Sequence, residues 1–337
     1  MFRMIFSFVQ SIAVAISLLA YSGAWVGVGG YLRQLDRMNI YDNRARNSIA
    51  QTVVYDIVLD HFMQPRDNGR VPKGIIIVYD GARADTLINT VDYEHSAIFR
   101  LQREGGGIYH MFTGGRFPLF QDTSTGASFA TLLTGRWARG PGGHRVLSNS
   151  CTKPLDPNLI FNTLLNRSEH VTGAAFVVSW DGHFARTDAE GRGIANYSLD
   201  VAYAQQRGFT DANDISQGAM QWSMNGSDAE SIAVTMGMLE DLNGPDFIVL
   251  SLEYCDIAGH GGGFGNHNPG FIEAFRASER AAYAMIDAIE ARATYEDEDW
   301  LILITSDHGG MNYYHGAQWE VIRQVFLVSN KDLGFGR

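Results

Sequence analysis

The sequence predicts an α/β fold in which helices sandwich a mostly parallel central sheet, preceded by an N-terminal hydrophobic helix. Over most of the 337 residues, short apolar runs rich in β-branched residues alternate with stretches of helical periodicity. This alternation is typical of buried parallel strands joined by helices. Hydrophobic residues make up 45% of the chain, which excludes a disordered protein. The N-terminal helix is predicted because residues 4–32 carry no charge.

The charge and cysteine content exclude two further classes. The chain has 26 Lys and Arg against 37 Asp and Glu, for a net charge of −11. It has no basic stripe that would hold a phosphate backbone, so we expect no nucleic-acid scaffold as a partner. Its two cysteines, Cys151 and Cys255, permit at most one internal disulfide, which excludes a disulfide scaffold.

The N-terminal segment is expected to meet a membrane, in one of two ways. Residues 4–19 fit the apolar region of a secretory signal, with the small residues at 22–24 as a cleavage site. Residues 4–32 are equally long enough to span a bilayer, which takes about 20 residues. The arginines at 33, 37, 44 and 46 would leave the remainder cytoplasmic if the positive-inside rule held strictly. We nevertheless favour export, as a membrane-anchored or secreted protein on the extracytoplasmic side.

The chain divides into three segments. Residues 1–32 are the signal or membrane anchor. Residues 33–70 form a helical lead-in, because apolar residues such as Leu35, Ile49 and Val53 recur among charges at roughly helical spacing. Residues 71–337 form the main domain, with no linker rich enough in Pro or Ser to divide it.

Four strands of this domain can be placed at residues 74–79, 174–179, 247–252 and 300–305. Each is a short apolar run of the kind found in buried parallel strands. A helix between the last two is predicted to begin at Asn268-Pro269, because Asn is a common N-cap and Pro suits the first helical turn.

Carboxylates and histidines stand directly after three of these strands. Asp80 follows the first, Asp256 and His260 follow the third, and Asp307 and His308 follow the fourth. Ligands of open α/β sheets bind outside the carboxyl ends of the strands. Three Asp and two His brought together there would repel one another unless cations lay among them.

The ligand types indicate zinc, and their number indicates two ions. Asp oxygens and His nitrogens suit Zn²⁺, and one tetrahedral ion cannot use them all. His315 is a sixth candidate, because it follows His308 by seven residues in a Gly-rich loop that can fold back over the site. A single Asp or His after a strand is more often a helix cap or a packed side chain. The prediction of a two-ion site therefore rests on the occurrence of all these Asp and His residues together.

Thr125 is the candidate nucleophile. It lies in the hydroxyl-rich turn DTSTGASFATLLTG, which runs into a predicted helix. At a helix start, backbone N–H groups and the positive end of the dipole attract a phosphate or sulfate. An ordinary N-cap formed by Ser124 or Thr125 remains the alternative.

These motifs resemble the alkaline phosphatase superfamily. The shared order is Asp, a Thr before TLLTG, Asp-x-x-x-His, Asp-His-Gly and a final His. More closely, DGARAD, TGASFATLLTG, DIAGHGGGFG and LILITSDHGG resemble the type I phosphodiesterase and nucleotide pyrophosphatase branch. The resemblance extends from residue 73 to residue 329 and implies an alkaline phosphatase-like catalytic domain.

The resemblance also implies roles for individual residues. Two Zn²⁺ ions are implied, although other divalent ions are possible. One ion would be surrounded by Asp80, Thr125, Asp307 and His308, and the other by Asp256, His260 and His315. Asn149, in GHRVLSNS, resembles an Asn that donates to a nonbridging phosphoryl oxygen, with a turn Asn as the alternative. A sulfatase is not expected, because TGASF lacks the motif of sulfatases, in which a Cys or Ser is followed by Pro and Arg.

The implied function is a zinc-dependent phosphoric ester hydrolase, a phosphodiesterase that acts through a phosphothreonine intermediate on Thr125. Two alternatives stay open: a membrane-associated phosphotransferase of the phosphoethanolamine type, and a catalytically silent structural subunit with the same fold. The expected substrate is a phosphorylated small molecule, lipid or glycan. Residues 181–228 match no family motif and are expected to set substrate selectivity. Relatives usually continue with another helix beyond the point where this sequence stops.

Overall fold

The computed structural model describes residues 48–64, 69–90, 94–116, 118–149, 159–178, 220–223 and 228–335. The hydrophobic segment 1–32, residues 33–47 of the lead-in, Cys151 and most of residues 181–228 lie outside the described residues. Within the described part, no helix combines the length and apolar character that a membrane crossing requires.

Eight strands of the described chain form one sheet, in the order β1-β3-β10-β9-β2-β8-β6-β7. Strand β10 runs antiparallel to both of its neighbours, and the other pairings are parallel. Strands β4 and β5 form a separate two-stranded pair. The strands in the described residues are β1 Ile49–Ala50, β2 Val71–Tyr79, β3 Gly107–Phe112, β4 Gly115–Arg116, β5 Leu119–Phe120, β6 Ala174–Val178, β7 Met220–Ser223, β8 Phe247–Leu252, β9 Glu298–Thr305 and β10 Gln324–Ser329.

Helices cover both faces of the sheet. The α-helices are α1 Val53–Met63, α2 Ala97–Arg103, α3 Thr125–Thr134, α4 Ile160–Arg167, α5 Asp228–Glu240, α6 Tyr254–Gly262, α7 Pro269–Glu290 and α8 Glu320–Arg323, with 3₁₀ helices at Ala84–Thr90 and Tyr295–Asp297. Helices α1, α3 and α4 pack in one apolar layer, and α2, α5 and α7 pack in the other. In β2, Ile76 and Val78 point into the first layer, whereas Ile75 and Ile77 point into the second. This two-residue alternation confirms the predicted sandwich of a mostly parallel sheet between helices.

The four predicted strands are present with small shifts of their ends. Strand β8 has the predicted bounds, β2 and β9 begin earlier, at Val71 and Glu298, and β6 is described as far as Val178. Helix α7 begins at Pro269 as predicted, and Asn268 caps it by accepting a hydrogen bond from the backbone N–H of Gly270 at 2.9 Å.

The lead-in differs from the helical expectation at Ile49. This residue lies in β1, where it pairs with Met111 of β3, and the helix begins only at Val53. The backbone N–H of Gln51 continues the pairing by donating to Phe112 at 3.0 Å. Pairing with the sheet edge satisfies backbone groups that a helix would otherwise have satisfied internally. Apolar spacing alone does not distinguish the two outcomes over so short a stretch.

Candidate active site

Three adjacent parallel strands place the predicted residues at one edge of the sheet. Strand β2 lies between β9 and β8 and pairs in parallel with both. Asp80 directly follows β2, and Asp307 and His308 follow β9. Asp256 and His260 lie one turn apart in α6, which begins two residues after β8. The strand order therefore explains why residues far apart in sequence meet here.

Asp80, Asp307 and His308 form the first cluster. All three side chains are fully buried. The Nε2 atom of His308 lies 3.4 Å from Oδ1 of Asp80 and 3.4 Å from Oδ2 of Asp307. Their potential ligand atoms all lie within 4.8 Å of one another. This spacing is compact enough for one cation to contact all three.

The second cluster consists of Asp256, His260 and His315; His260 contacts Asp256 but belongs to none of the described groups of three whose potential ligand atoms all lie within 4.8 Å of one another. Asp256 Oδ2 lies 3.3 Å from His260 Nε2, and Asp256 Oδ1 lies 3.7 Å from His315 Nε2. The rings of His308 and His315 stack with centroids 4.1 Å apart, so the two clusters adjoin. His308 also groups with Asp256 and His315 within 4.8 Å, which makes it the shared member of the two clusters.

The clusters contain buried polar atoms that fit a cation. Among the described residues, both carboxylate oxygens of Asp80, Oδ1 of Asp256, Oδ2 of Asp307 and Nδ1 of His315 are buried without a hydrogen-bond partner. Burial and the neighbouring Asp307 carboxylate raise the pKa of Asp80 well above its ordinary value. Burial likewise raises the pKa of Asp307 to about 7. Buried polar groups are normally hydrogen-bonded, so these unpaired oxygens match the ligand set of a metal centre.

Two of the histidines are oriented for metal binding by backbone carbonyls. His308 Nδ1 donates to the carbonyl of Gly309 at 3.0 Å, and His260 Nδ1 donates to that of Tyr313 at 2.8 Å. These bonds leave the Nε2 lone pairs facing the carboxylates, which is the usual arrangement of metal-ligating histidines. Burial lowers the pKa of His308 and that of His315 to about 4. The imidazoles of His308 and His315 are therefore neutral near pH 7, as a metal ligand must be, whereas the hydrogen bond with Asp256 raises the pKa of His260.

Thr125 lies at the start of α3, next to the first cluster. Its Oγ1 is 3.3 Å from His308 Nε2. Ser124 occupies the N-cap position, but neither the Ser124 nor the Thr125 hydroxyl caps the helix by a hydrogen bond. The structure thus does not support simple capping as the reason for this hydroxyl pair. The helix ends at Gly135, whose φ of 66° is the left-handed conformation that suits a glycine C-cap.

Asn149 contacts the N-terminal end of α3, where Thr125 lies. Its Oδ1 accepts a hydrogen bond from the backbone N–H of Gly126 at 2.7 Å. Because the oxygen is used in this way, the Nδ2 group is left as a donor beside the start of α3. The eight residues singled out from the sequence therefore meet at one place, although their catalytic and ligand roles stay predictions.

Glu253 is a member of the site that the sequence analysis missed. It directly follows β8 and is buried, and it groups with Asp80 and Asp256 within 4.8 Å. Burial and the Asp256 charge raise the pKa of Glu253 well above its ordinary value. Its position directly after an apolar strand was the available signal, as it was for Asp80.

Gly81 explains how Asp80 and Asp256 approach each other so closely. Its φ is 70°, and a Cβ atom there would lie 2.9 Å from Oδ1 of Asp256. Both the backbone conformation and the space therefore require glycine. Any larger residue would displace the backbone beside Asp80.

Comparison with known families gives a match over most of the chain. The family model described as type I phosphodiesterase / nucleotide pyrophosphatase matches residues 75–326. This range contains every candidate site residue named above. No curated protein matches the chain at a significant level.

Solved structures resemble the fold at low sequence identity. The alkaline phosphatase from the Antarctic bacterium TAB5 is 12% identical, with 77% of this chain and 91% of that chain covered and a TM-score of 0.43. Murine ectonucleotide pyrophosphatase / phosphodiesterase 5 is 15% identical, with coverages of 71% and 57% and a TM-score of 0.45. The phosphonate monoester hydrolase of Agrobacterium radiobacter is 17% identical, with coverages of 77% and 68% and a TM-score of 0.42.

Proposed function

The chain belongs to the type I phosphodiesterase / nucleotide pyrophosphatase family, whose members are hydrolases of phosphoric esters, and on that premise we propose that it is a two-zinc phosphodiesterase with Thr125 as nucleophile. The observation that carries this proposal is the joined pair of clusters, in which buried carboxylate oxygens have no hydrogen-bond partner within the described structure and Thr125 Oγ1 lies 3.3 Å from His308.

Two sets of side chains would hold the ions. Asp80, Asp307 and His308 would hold one together with Thr125, and Asp256, His260 and His315 would hold the other. A donor set of carboxylates and imidazoles suits zinc, although other divalent ions can use the same ligands. When bound, the ions supply charge neutralisation for the transferring phosphoryl group and lower the pKa of a coordinated hydroxyl or water.

Thr125 would carry the phosphoryl group between two displacement steps. In the first, its Oγ1 attacks phosphorus, so that a P–O bond to Thr125 forms as the bond to the leaving-group oxygen breaks; the Thr125 hydroxyl proton passes through solvent to that oxygen, which departs as the alcohol. In the second, the oxygen of a water molecule attacks the same phosphorus as the bond to Oγ1 breaks, and one of the water protons passes to Oγ1 and restores the Thr125 hydroxyl. The start of α3 favours the nonbridging oxygens, because the unpaired backbone N–H groups and the dipole present partial positive charge there.

Asn149 supports a diester as substrate. Its Nδ2 group can donate to one nonbridging oxygen of a singly charged diester while Oδ1 stays bonded to Gly126. A dianionic monoester would gain more from a guanidinium, which offers charged, paired donors. We therefore assign a phosphodiester of a small molecule, lipid or glycan as the substrate class.

We also propose an extracytoplasmic location, with the N-terminal segment as a secretory signal or membrane anchor. The supporting feature is the uncharged stretch 4–32. A lipid or glycan substrate would be accessible from that position. If an alcohol replaced water in the second displacement, the same residues would transfer the phosphoryl group instead of hydrolysing it.

The decisive experiment combines zinc counting by mass spectrometry with hydrolysis of bis-p-nitrophenyl phosphate. The wild-type chain should contain two zinc ions and turn the diester over. Asp256→Ala and His260→Ala should reduce the content towards one ion, because Asp80, Asp307 and His308 would remain. Zinc-free wild-type protein without turnover would support the silent structural subunit, and two ions in both variants would refute the assignment of the second cluster.

A further inference from the structure

We infer that Gln51 is a positioning residue for the metal centre, through a buried hydrogen-bond chain that joins the nucleophile helix to the Asp307–His308 turn. The inference rests on the proposed function, because it concerns how the proposed ligands are held. Gln51 precedes residue 75, where the family match begins. The inference therefore gives the lead-in segment, residues 33–70, a role in the site.

The chain of hydrogen bonds runs in one direction across the core. Ser128 Oγ lies 3.1 Å from Thr113 Oγ1, and Thr113 Oγ1 donates to Gln51 Oε1 at 2.7 Å. Gln51 Nε2 then donates to the backbone carbonyl of Asp307 at 2.8 Å. Because the Thr113 hydroxyl proton is used on Gln51, the Ser128 hydroxyl must be the donor of the first bond.

All four residues are fully buried, with 0% exposure. Hydrogen bonds in such an environment are stronger than in water and polarise one another along a chain. The cost of breaking one is also larger, since a buried donor or acceptor is left without a partner. These buried hydrogen bonds therefore restrict the positions of the groups that they join more strongly than exposed contacts would.

This series of hydrogen bonds affects the site because each of its two ends lies beside a proposed site residue. Ser128 lies three residues after Thr125, on the same side of α3, so its position follows that of the nucleophile. The Asp307 carbonyl belongs to the peptide that joins Asp307 to His308, and rotation of this peptide would move both proposed ligands. The chain thus sets the spacing between Thr125 and the first cluster, which is 3.3 Å at His308 Nε2.

The other hydrogen bonds of the turn do not hold the Asp307 carbonyl. The backbone N–H of Gly81 donates to Asp307 Oδ1 at 3.1 Å, which ties the side chain to the loop after β2, and two further bonds are local. Ser306 Oγ donates to the His308 carbonyl at 2.7 Å, and His308 Nδ1 donates to the Gly309 carbonyl. These bonds shape the turn within itself. The Gln51 bond spans 256 positions of the sequence and ties the turn, through Thr113, to α3.

The test uses Gln51→Leu in the full chain, which keeps a side chain of similar size but removes both hydrogen bonds. Loss of an outer partner of a metal ligand typically weakens metal affinity or activity by about 10- to 100-fold. We expect the Kd for zinc, measured by chelator competition, to rise within this range. At saturating zinc, kcat should fall while KM for the diester changes less than about twofold.

Asn330, which directly follows β10, provides a matched control through its contacts with β9. Asn330 is also an amide that accepts one bond and donates another, from the N–H of Ile302 at 2.8 Å and to the carbonyl of Trp300 at 2.9 Å. These contacts lie towards the opposite end of β9 from Asp307. Asn330→Ala should therefore lower the free energy of unfolding without changing the zinc Kd or kcat.

Thr113→Val keeps the inference testable if Gln51→Leu does not fold, because it leaves Gln51 in place but removes the donor that orients it. It should raise the zinc Kd in the same direction. Wild-type zinc affinity in Gln51→Leu, or an equal loss in Asn330→Ala, would overturn the inference. A wild-type chain that binds no zinc would overturn the proposed function itself, and the positioning role with it.

Discussion

The Thr125 hydroxyl lies between the start of α3 and carboxylates that have buried oxygens without a hydrogen-bond partner in the described structure, and its removal tests the chemistry directly. Thr125→Ala should reduce kcat to below about 1% of wild type, because loss of a covalent nucleophile normally costs several orders of magnitude. Zinc content should stay close to two ions, since six other proposed ligands remain. Steady-state hydrolysis of a diester and mass spectrometry measure both quantities.

Thr134 provides the matched control for this variant. It lies at the other end of α3, is as buried as Thr125, and donates to the Ala130 carbonyl at 2.6 Å. Its Oγ1 also accepts from the backbone N–H of Arg136 at 3.3 Å. Thr134→Ala should lower the free energy of unfolding by about 1–2 kcal/mol, at about 1 kcal/mol for each hydrogen bond, with kcat unchanged. Retention of more than about 1% of activity in Thr125→Ala would exclude Thr125 as nucleophile.

Asn149 tests the substrate class. We expect kcat/KM to be higher for bis-p-nitrophenyl phosphate than for p-nitrophenyl phosphate, because a neutral amide matches a singly charged phosphoryl group. Asn149→Asp should lower diester turnover although its carboxylate can still accept from Gly126, since it removes the Nδ2 donor and adds a negative charge. A tenfold preference for the monoester, about 1.4 kcal/mol in transition-state binding, would contradict the assignment.

The loops that carry the ligands are joined by Arg83. Its Nη1 donates to the Phe264 carbonyl at 3.2 Å and to the Gly310 carbonyl at 3.4 Å, and its Nε and Nη2 each donate to one oxygen of Asp85. Arg83 follows β2, Phe264 follows α6 and Gly310 follows β9. One planar guanidinium thus holds together the loops after three elements, which a lysine ammonium cannot reproduce.

Arg83→Lys should therefore lower the free energy of unfolding by about 1.5–3 kcal/mol, the range for hydrogen bonds to charged groups, and weaken zinc binding. Urea denaturation and chelator competition measure the two effects. Asp85→Asn is the control, because it removes the partly exposed ion pair but keeps both carbonyl bonds. Its cost should stay below about 1 kcal/mol. An equal effect of the two variants would show that the ion pair, and not the link between loops, matters.

The elements of the site differ in how far sequence predicts them. Strands β2, β8 and β9 were predictable because each is a compact apolar run, and Asp80, Asp256 and Asp307 because each follows one. The antiparallel placement of β10 between β3 and β9 was not, since strand order depends on pairings between distant parts of the chain. The contacts of Gln51 and Arg83 were missed for the same reason, because their partners lie 256 and 181 positions away. Arg83 belongs to the DGARAD motif, but the motif does not indicate which carbonyls its guanidinium contacts.

Helix α7 and the site edge of the sheet are connected through one buried carboxyl group. Glu279 is fully buried in α7 and accepts hydrogen bonds from Tyr79 at 2.8 Å and Ser96 at 2.5 Å. Tyr79 ends β2, and Ser96 is the N-cap of α2. The group thus ties three elements together in the apolar layer opposite α3, where a negative charge is costly.

This arrangement predicts that the stability of the whole molecule depends on the ionisation of Glu279. Burial raises its pKa from 4.5 to about 7, so between these pH values the folded chain retains a proton that the unfolded chain has lost. The stabilisation is fully present below pH 4.5 and is lost as the pH rises through about 7. Glu279→Gln mimics the protonated carboxyl and should remove this dependence. From pH 5 to pH 8 the free energy of unfolding of the wild type should fall relative to the variant by roughly 2–3 kcal/mol, as measured by urea denaturation.

Glu273→Gln is the control, because it changes an exposed carboxyl on the same helix, and its free energy of unfolding should follow that of the wild type. A constant difference between wild type and Glu279→Gln over this pH range would show that Glu279 does not titrate there.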